Sequence, residues 1–242
     1  MNKRERGEMN ENIREPVTDL DIEMVYVEGG IFMMGATTEQ ESEYSDDESS
    51  VHQVTVSSFH IGKYPITQAQ WKTIMVENPS HYTSGDLPVE NVSWHNAQMF
   101  IRKLNAKTGK QYRLPTEAEW EFAARGGNKS NGYKYSGSNL IADVAWYNNN
   151  SGYKTRPVGT KAPNELGIYD MSGNVWEWCQ DWYGKYPASA QIDPQGPSSG
   201  DFRVRRGGSW RSKILERLNV SYRYYYFPDS CFFNIGFRVA LT

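Results

Sequence analysis

The C-terminal stretch RVRRGGSWRSKILERLNVSYRYYYFPDSCFFNIGFRVALT, residues 203–242, carries the pattern that decides the fold. RGGSW at 206–210 stands near its start, and GFR at 236–238 stands near its end. Between them, seven of the twelve residues from 222 to 233 are aromatic. Consecutive aromatic residues match neither the period of a strand nor that of a helix, so they cannot all face one core. Some of these rings must be exposed, and exposed contiguous aromatic surface is typical of a contact site.

The composition predicts a loop-rich protein with a core of large aromatic side chains. Of 242 residues, 38% are hydrophobic and 14% are aromatic, and 21 Gly and 11 Pro favour many turns. A net charge of -3 supplies no basic field, which argues against nucleic acid as the main partner.

The N-terminal segment gives no export signal. Residues 1–20 are polar and charged, which predicts a disordered tail ahead of one folded domain spanning 21–242. The tail has no apolar core of a signal peptide, and nowhere does the chain approach the roughly 20 apolar residues of a membrane span. We expect no membrane span and a location in the cytoplasm or on a phage particle, or surface display if a leader has been removed.

Two regions have the pattern of strands. The apolar runs at 24–27 and 31–34 flank Gly29-Gly30, which predicts a hairpin. Residues 52–61 alternate as one strand does, and the acidic stretch 39–48 before them predicts a solvated loop.

Three helices have clear start signals. Thr67 with Gln70 and Thr116 with Glu119 form capping-box pairs, and the second helix of this kind should stop at Gly126-Gly127. Ser93 precedes apolar residues at 97, 100, 101 and 104, the spacing of an amphipathic helix that ends near residue 109. After residue 127 the sequence predicts long loops and short strands.

Cysteine and histidine give no metal-binding pattern. Cys179 and Cys231 are too few for a disulfide scaffold and do not form a CxxC pair, and Cys179 is predicted to be a buried core residue. The four histidines (His52, His60, His81 and His95) are scattered, so no transition-metal cluster of the usual kind is expected.

Six blocks resemble the formylglycine-generating enzyme (sulfatase-modifying factor) family, in the order found there. They are MVYVEGGIFMMG (24–35), LPVENVSWHNAQMF (87–100), YRLPTEAEWEFAARGG (112–127), PNELGIYDMSGNVWEWCQDWY (163–183), RRGGSW (205–210) and IGFR (235–238). The resemblance implies an α+β, C-type-lectin-like fold of the formylglycine-generating-enzyme type, loop-rich, with few helices and small twisted antiparallel sheets.

The residues implied for catalysis are missing. Catalytic members of the family oxidise a substrate cysteine with copper(I), which two cysteines after RGGSW hold, and soft thiolates suit that ion. The matching positions here are Ser212 and Arg217, or Glu216 with an offset of one, so the activity should be absent. The related iron-dependent sulfoxide synthases carry a histidine triad on an extra helical domain, and this sequence has no matching histidines.

The resemblance also implies a structural calcium ion at the GNVWEW turn. Its ligands would be the carboxylates of Asp170 and Glu177 with the backbone carbonyls of Gly173 and Val175, an oxygen set that suits a hard cation. The alternative is that the two carboxylates cap or pair within the loop. No catalytic cofactor is expected.

The segment at 211–234 resembles the variable region of diversity-generating retroelement proteins, which use the same fold and vary exposed side chains by adenine-directed mutagenesis. Every residue at 224–227 and 230–234 can be reached from an Asn codon AAY by changing adenines alone, whereas Lys213 and Glu216 cannot. The candidate ligand-binding residues are Arg211, Ser212, Ile214, Leu215, Arg217, Leu218, Asn219, Tyr224, Tyr225, Tyr226, Phe227, Ser230, Cys231, Phe232, Phe233 and Asn234.

Three functions remain open from the sequence. The first is a non-catalytic protein whose C-terminal face binds a protein or other macromolecular ligand, with Tyr as a rigid contact residue. The second is an oxidase of the formylglycine-generating type with an altered centre. The third is an accessory domain of the family, in which the aromatic residues form a constant core.

Overall fold

The computed structural model describes residues 21–40 and 50–242, so the predicted N-terminal tail and most of the acidic loop lie outside the described residues. The described chain has short elements separated by long ordered loops. The strands are β1 Met24–Val27, β2 Gly30–Met34, β3 His52–Val56, β4 Phe59–Gly62, β5 Tyr112–Arg113, β6 Trp176–Trp182, β7 Gln191–Ile192, β8 Arg203–Arg206, β9 Arg223–Tyr226, β10 Ile235–Gly236 and β11 Ala240–Leu241. The helices are α1 Gln68–Ile74, α2 Trp94–Thr108, α3 Glu117–Ala124 and α4 Ile141–Val144.

The predicted helix starts are confirmed. Thr67, Ser93 and Thr116 each cap a helix through a reciprocal capping box, and α2 ends at Gly109, whose φ of 71° is left-handed. Helix α3 ends at Ala124, two residues before the predicted glycines, and every residue in it is buried. In the part of the chain that the structure describes, no helix is long and apolar enough to cross a membrane.

Three small sheets have the strand orders β1-β4-β11-β5, β10-β6-β8-β9 and β2-β3-β7. Most neighbouring strands are antiparallel, and the pairs β10·β6 and β3·β7 are parallel. The third sheet is joined to the other two by the segments that follow β1, β3, β6 and β7.

The predicted hairpin at 24–34 is wrong. Strand β1 pairs with β4 and β2 pairs with β3, in two different sheets, and the predicted strand at 52–61 is likewise broken at Ser57-Ser58. The reason is that the segment after β1 crosses the segment after β3 at Gly29, where an added Cβ would lie 2.6 Å from the Val56 carbonyl oxygen. Both chain segments therefore change sheet at the same point, which an alternation pattern does not reveal.

Two large apolar clusters fill most of the interior of the described chain, beside a small third cluster around Leu218. One surrounds α3 and contains the fully buried Cys179, as predicted, and the other lies between α1, α2 and the sheet of β6. Trp176 and Trp178 both enter the second cluster, so the two indoles lie on one side of β6. Glu177, between them, points to the opposite side.

Candidate functional site

Strand β9 places its consecutive aromatic residues on opposite sides of the sheet. Tyr224 and Tyr226 lie on the side of Arg205, whose guanidinium carbon is 5.0 and 5.2 Å from their ring centroids. Tyr225 lies on the other side, with its ring 4.1 Å from that of Tyr183. The aromatic run at 224–227 therefore does not form one face, because a strand alternates its side chains.

We call the first side the cleft face; it consists of Trp176, Arg205, Tyr222, Tyr224, Tyr226 and Phe232. The guanidinium carbon of Arg205 lies 4.8 Å from the Trp176 ring. Tyr222 and Tyr224 are stacked at 6.3 Å, and the Phe232 ring meets Tyr226 edge-on at 4.8 Å. The face is a set of mutually supported rings around one guanidinium, and its tyrosines are half-buried.

A second ring group forms around Phe202. Phe202 contacts Tyr225 and Phe227, with centroids 4.9 and 4.6 Å apart. Phe227 is 54% exposed, whereas Tyr225 is half-buried between Phe202 and Tyr183. Both rings nevertheless adjoin the cleft face at the free edge of β9, where Tyr225 stacks on Tyr224 at 5.5 Å and Phe227 meets Tyr226 edge-on at 6.2 Å.

A buried ion network anchors both strands beneath the rings. Glu117 accepts hydrogen bonds from Arg223 Nε and Nη2 at 2.9 and 2.7 Å and from Arg206 Nη1 at 3.1 Å, and Arg206 also pairs with Glu121. Burial would raise the pKa of Glu117, but the Arg223 and Arg206 charges outweigh it and lower that pKa. The frame that carries the aromatic residues is thus fixed by α3.

The two glycines of RGGSW allow a close approach to the candidate binding segment. Gly207 and Gly208 have φ values of 88° and 71°. An added Cβ at Gly208 would lie 2.6 Å from the Arg217 carbonyl oxygen. The backbone of 211–218 is therefore held directly against the frame, as expected from the residue type.

The structure divides the predicted ligand-binding residues into three groups. Arg211, Ile214, Leu215, Phe227 and Cys231 are exposed, and Arg217, Tyr224, Tyr225, Tyr226, Ser230, Phe232, Phe233 and Asn234 are half-buried. Ser212, Leu218 and Asn219 are buried, at 4%, 0% and 0% exposed, so their predicted place on an exposed face is wrong. Leu218 ends a 3₁₀ turn and packs beneath the segment, which an amino-acid pattern alone does not distinguish from a surface loop. The role of the other residues in ligand binding stays a prediction.

A cleft of about 430 Å³ opens between the cleft face and the segment after RGGSW. Its lining residues are Trp176, Arg205, Ser209, Arg211, Ser212, Lys213, Ile214, Arg217 and Asn234. Trp176, Arg205, Ser209 and Lys213 were not predicted as site residues. A signal for Arg205 existed, because a strand that buries Arg206 must turn Arg205 to the opposite side.

The positions implied for copper ligands lie beside this cleft. Ser212 is buried, and its hydroxyl oxygen accepts a hydrogen bond from the Ser209 amide at 3.0 Å. Cys179 is fully buried and Cys231 is exposed, and burial raises the pKa of each thiol above its ordinary value. No group of three or more His, Cys, Asp or Glu residues suited to a metal occurs within 21–40 and 50–242.

The two carboxylates implied for calcium have different hydrogen-bond partners. Glu177 accepts two hydrogen bonds from Arg238, both 2.7 Å long, and one from Trp120 Nε1 at 2.7 Å. Asp170 is buried and accepts a hydrogen bond from the Gly159 amide at 2.8 Å, and burial raises its pKa to about 6. The oxygen ligands suit calcium, but Arg238 neutralises one of the two charges. The calcium site stays a prediction, with Asp170 as its main anionic ligand.

Comparison with known proteins gives relatives over most of the chain. Chaperone protein LppX of Paenibacillus barcinonensis is 36% identical over 258 residues, covering 85% of this chain and 84% of LppX. The formylglycine-generating enzyme of Streptomyces coelicolor is 39% identical over 170 residues, which cover 63% of this chain but only 52% of that enzyme.

Among solved structures, Treponema denticola variable protein 1 is similar with a TM-score of 0.81 and 33% identity, over 90% of this chain and 94% of that protein. The resemblance and the fold class expected from the sequence are thereby confirmed. The sulfatase-modifying factor enzyme 1-like domain matches residues 8–242. The chain belongs to this family of formylglycine-generating-enzyme-like proteins.

Proposed function

We propose that this chain is a non-catalytic ligand-binding member of its family. Its C-terminal segment, residues 211–234, would recognise a protein or another macromolecular ligand through the cleft face and the adjoining exposed side chains. The observation that carries the proposal is the cleft itself, where Ser212 and Arg217 stand in place of a thiolate pair. Hard or cationic groups at these positions do not hold copper(I).

The division between frame and surface supports this function. Arg206 and Arg223 are buried and paired, while the rings of Tyr224 and Tyr226 are held in place on the cleft side. A tyrosine already packed on its neighbours loses little conformational entropy when a ligand binds, and aromatic and Arg residues dominate binding hot spots. Such a surface can change its side chains without disturbing the network that holds the strands.

An oxidase with an altered centre is the competing proposal. The single exposed thiol, Cys231, has its sulfur 3.9 Å from Asn96 Oδ1 and 3.8 Å from the Asp229 carbonyl oxygen. Its raised pKa disfavours the thiolate that metal binding or nucleophilic attack needs. An assay of oxygen consumption with copper and a cysteine peptide separates the two functions, because an oxidase would consume oxygen and lose this activity on Cys231→Ala.

The decisive experiment is to sequence the DNA on both sides of the coding region. We expect a near-copy of the codons for 206–238 that differs only where the copy has adenine, next to a reverse-transcriptase gene. The differing codons should encode exposed or half-buried residues such as Ile214, Tyr224 and Phe232, and should spare buried Leu218. If the flanking DNA contains no near-copy, the segment is not diversified and an accessory domain becomes the better description.

A further inference from the structure

The cleft beside RGGSW has four cationic side chains in its lining. These are Arg205, Arg211, Lys213 and Arg217, and no acidic side chain lines the same space. The protein as a whole carries a net charge of -3, so a concentration of positive charge here is a local feature. A concave surface lined by one sign of charge attracts ligands of the opposite sign.

Arg205 differs from the other buried arginines of this fold. Arg206, Arg223 and Arg238 each have a glutamate partner within 3.1 Å. Arg205 is 9% exposed, its Nε has no hydrogen-bond partner, and among the described residues no carboxylate pairs with it. A buried charge without a partner is costly, so this guanidinium is poised to take an anion from outside.

The rings around Arg205 fix its position without neutralising it. Trp176, Tyr224 and Tyr226 all lie within 5.2 Å of its guanidinium carbon. Arg217 approaches the same Tyr224 ring at 5.8 Å, so two guanidinium groups share one aromatic ring. Burial lowers the pKa of Arg205 to about 10, and repulsion from the Arg217 charge acts in the same direction. An anion placed between the two guanidinium groups would offset both the burial of the Arg205 charge and its repulsion by Arg217.

Neutral donors complete the lining. Asn234 Nδ2 donates to Ser209 Oγ at 3.1 Å, and Ser209 is buried at the end of the cleft. Planar guanidinium groups bind carboxylate and phosphate oxygens with paired hydrogen bonds, and such charge-assisted bonds are about twice as strong as neutral ones.

We propose that this cleft binds an anionic oxygen group of the ligand, a carboxylate or a phosphate, between Arg205 and Arg217. The proposal rests on the function proposed above and adds the chemistry of the group that the ligand presents. Rings on one side would contact the apolar part of the ligand, while the two guanidinium groups hold its charge.

The test follows the arginine Nε–Hε signals of the whole protein by NMR. The probes are sodium phosphate and a tetraglutamate peptide, with a tetraglutamine peptide as the neutral comparison. We expect a saturable shift of the Arg205 signal with one or both anionic probes, and no shift with tetraglutamine. Arg217→Met should weaken binding about tenfold, the loss of one charge-assisted contact. Arg102→Met, which removes an exposed charge on α2, should leave it unchanged.

The pattern of responses separates this proposal from the previous one. A response to phosphate alone identifies a phosphorylated ligand, and a response to tetraglutamate alone identifies an acidic peptide. If the Arg205 signal is unmoved by either anion in wild type, the anion site is refuted while a diversified, ligand-binding face can still stand. Equal binding by wild type and Arg217→Met would also refute it. Conversely, the flanking DNA could contain no near-copy of the codons while the protein still binds the anion. That result would support the anion site and contradict the proposal of a diversified receptor.

Discussion

Arg206 and Arg223 are directly opposite each other on β8 and β9, and Glu117 bridges their guanidinium groups. The next pair along the same strands, Arg205 and Tyr224, points to the other side, where Arg205 lines the cleft and packs on the Tyr224 ring. One two-stranded ladder therefore carries a buried ionic layer on one side and the cleft face on the other. Because side chains alternate along a strand, the two layers can be altered separately.

This separation predicts that substitutions of two neighbouring arginines change the free energy of unfolding by very different amounts. Arg206→Met should lower the free energy of unfolding by about 3–5 kcal/mol, because Glu117 and Glu121 would lose a buried partner. Arg205→Met should change it by less than about 1 kcal/mol, because the lost ring contacts are offset by removal of an unpaired buried charge. Urea unfolding of both variants measures the difference, and equal losses would contradict the assignment of Arg205 to a surface role.

The different burial of two rings around Phe202 predicts a second contrast, between Tyr225 and Phe227. Tyr225→Ala removes a ring packed between Tyr183 and Phe202, and we expect a loss of about 2–3 kcal/mol. Phe227→Ala removes a ring that is 54% exposed, and the loss should be about 0.5–1 kcal/mol. Thermal and urea unfolding should rank the variants in this order. The reverse order would mean that Tyr225, not Phe227, belongs to the surface.

The helices could be predicted because their signals are local. Thr116 and Glu119 are three residues apart, and their reciprocal hydrogen bonds need no other part of the chain. The family blocks likewise predicted the fold class. The hairpin at 24–34 was wrongly predicted because both chain segments change sheet where Gly29 meets the distant Val56. No local pattern encodes that contact.

The sequence indicated the segment of the candidate site but not its geometry. The aromatic run was correctly identified as unable to face one core, but the side taken by each ring depends on the register of β9 with β8. Leu218 and Asn219 are buried because the 3₁₀ turn at 215–218 folds back onto the frame. Strand alternation could have placed Arg205 on this side, but its lack of a carboxylate partner among the described residues is visible only in three dimensions.

A pH dependence is expected from Asp181, which lies fully buried near Glu117. Burial and the Glu117 charge raise the pKa of Asp181 to about 8, from about 4 in the unfolded chain. The folded state therefore holds a proton that the unfolded state releases, so this contribution to stability is complete below about pH 4 and is lost as the pH rises through about 8. Between about pH 4 and pH 8, the free energy of unfolding should fall less for Asp181→Asn than for the wild type. We expect the two falls to differ by at least about 1 kcal/mol. Parallel slopes for the two proteins would contradict the raised pKa.

The calcium prediction is tested by thermal unfolding in the presence of calcium or a chelator. Arg238 neutralises Glu177, so Asp170 supplies most of the charge, and calcium affinity follows the number of charged ligands. We expect the Tm to rise only at millimolar calcium, by mass action on the folded state. Asp170→Asn should abolish the rise, whereas Asp193→Asn, at an exposed carboxylate far along the chain, should retain it. A rise at micromolar calcium would mean that Glu177 leaves Arg238 to bind the ion, and a rise that survives Asp170→Asn would place the ion elsewhere.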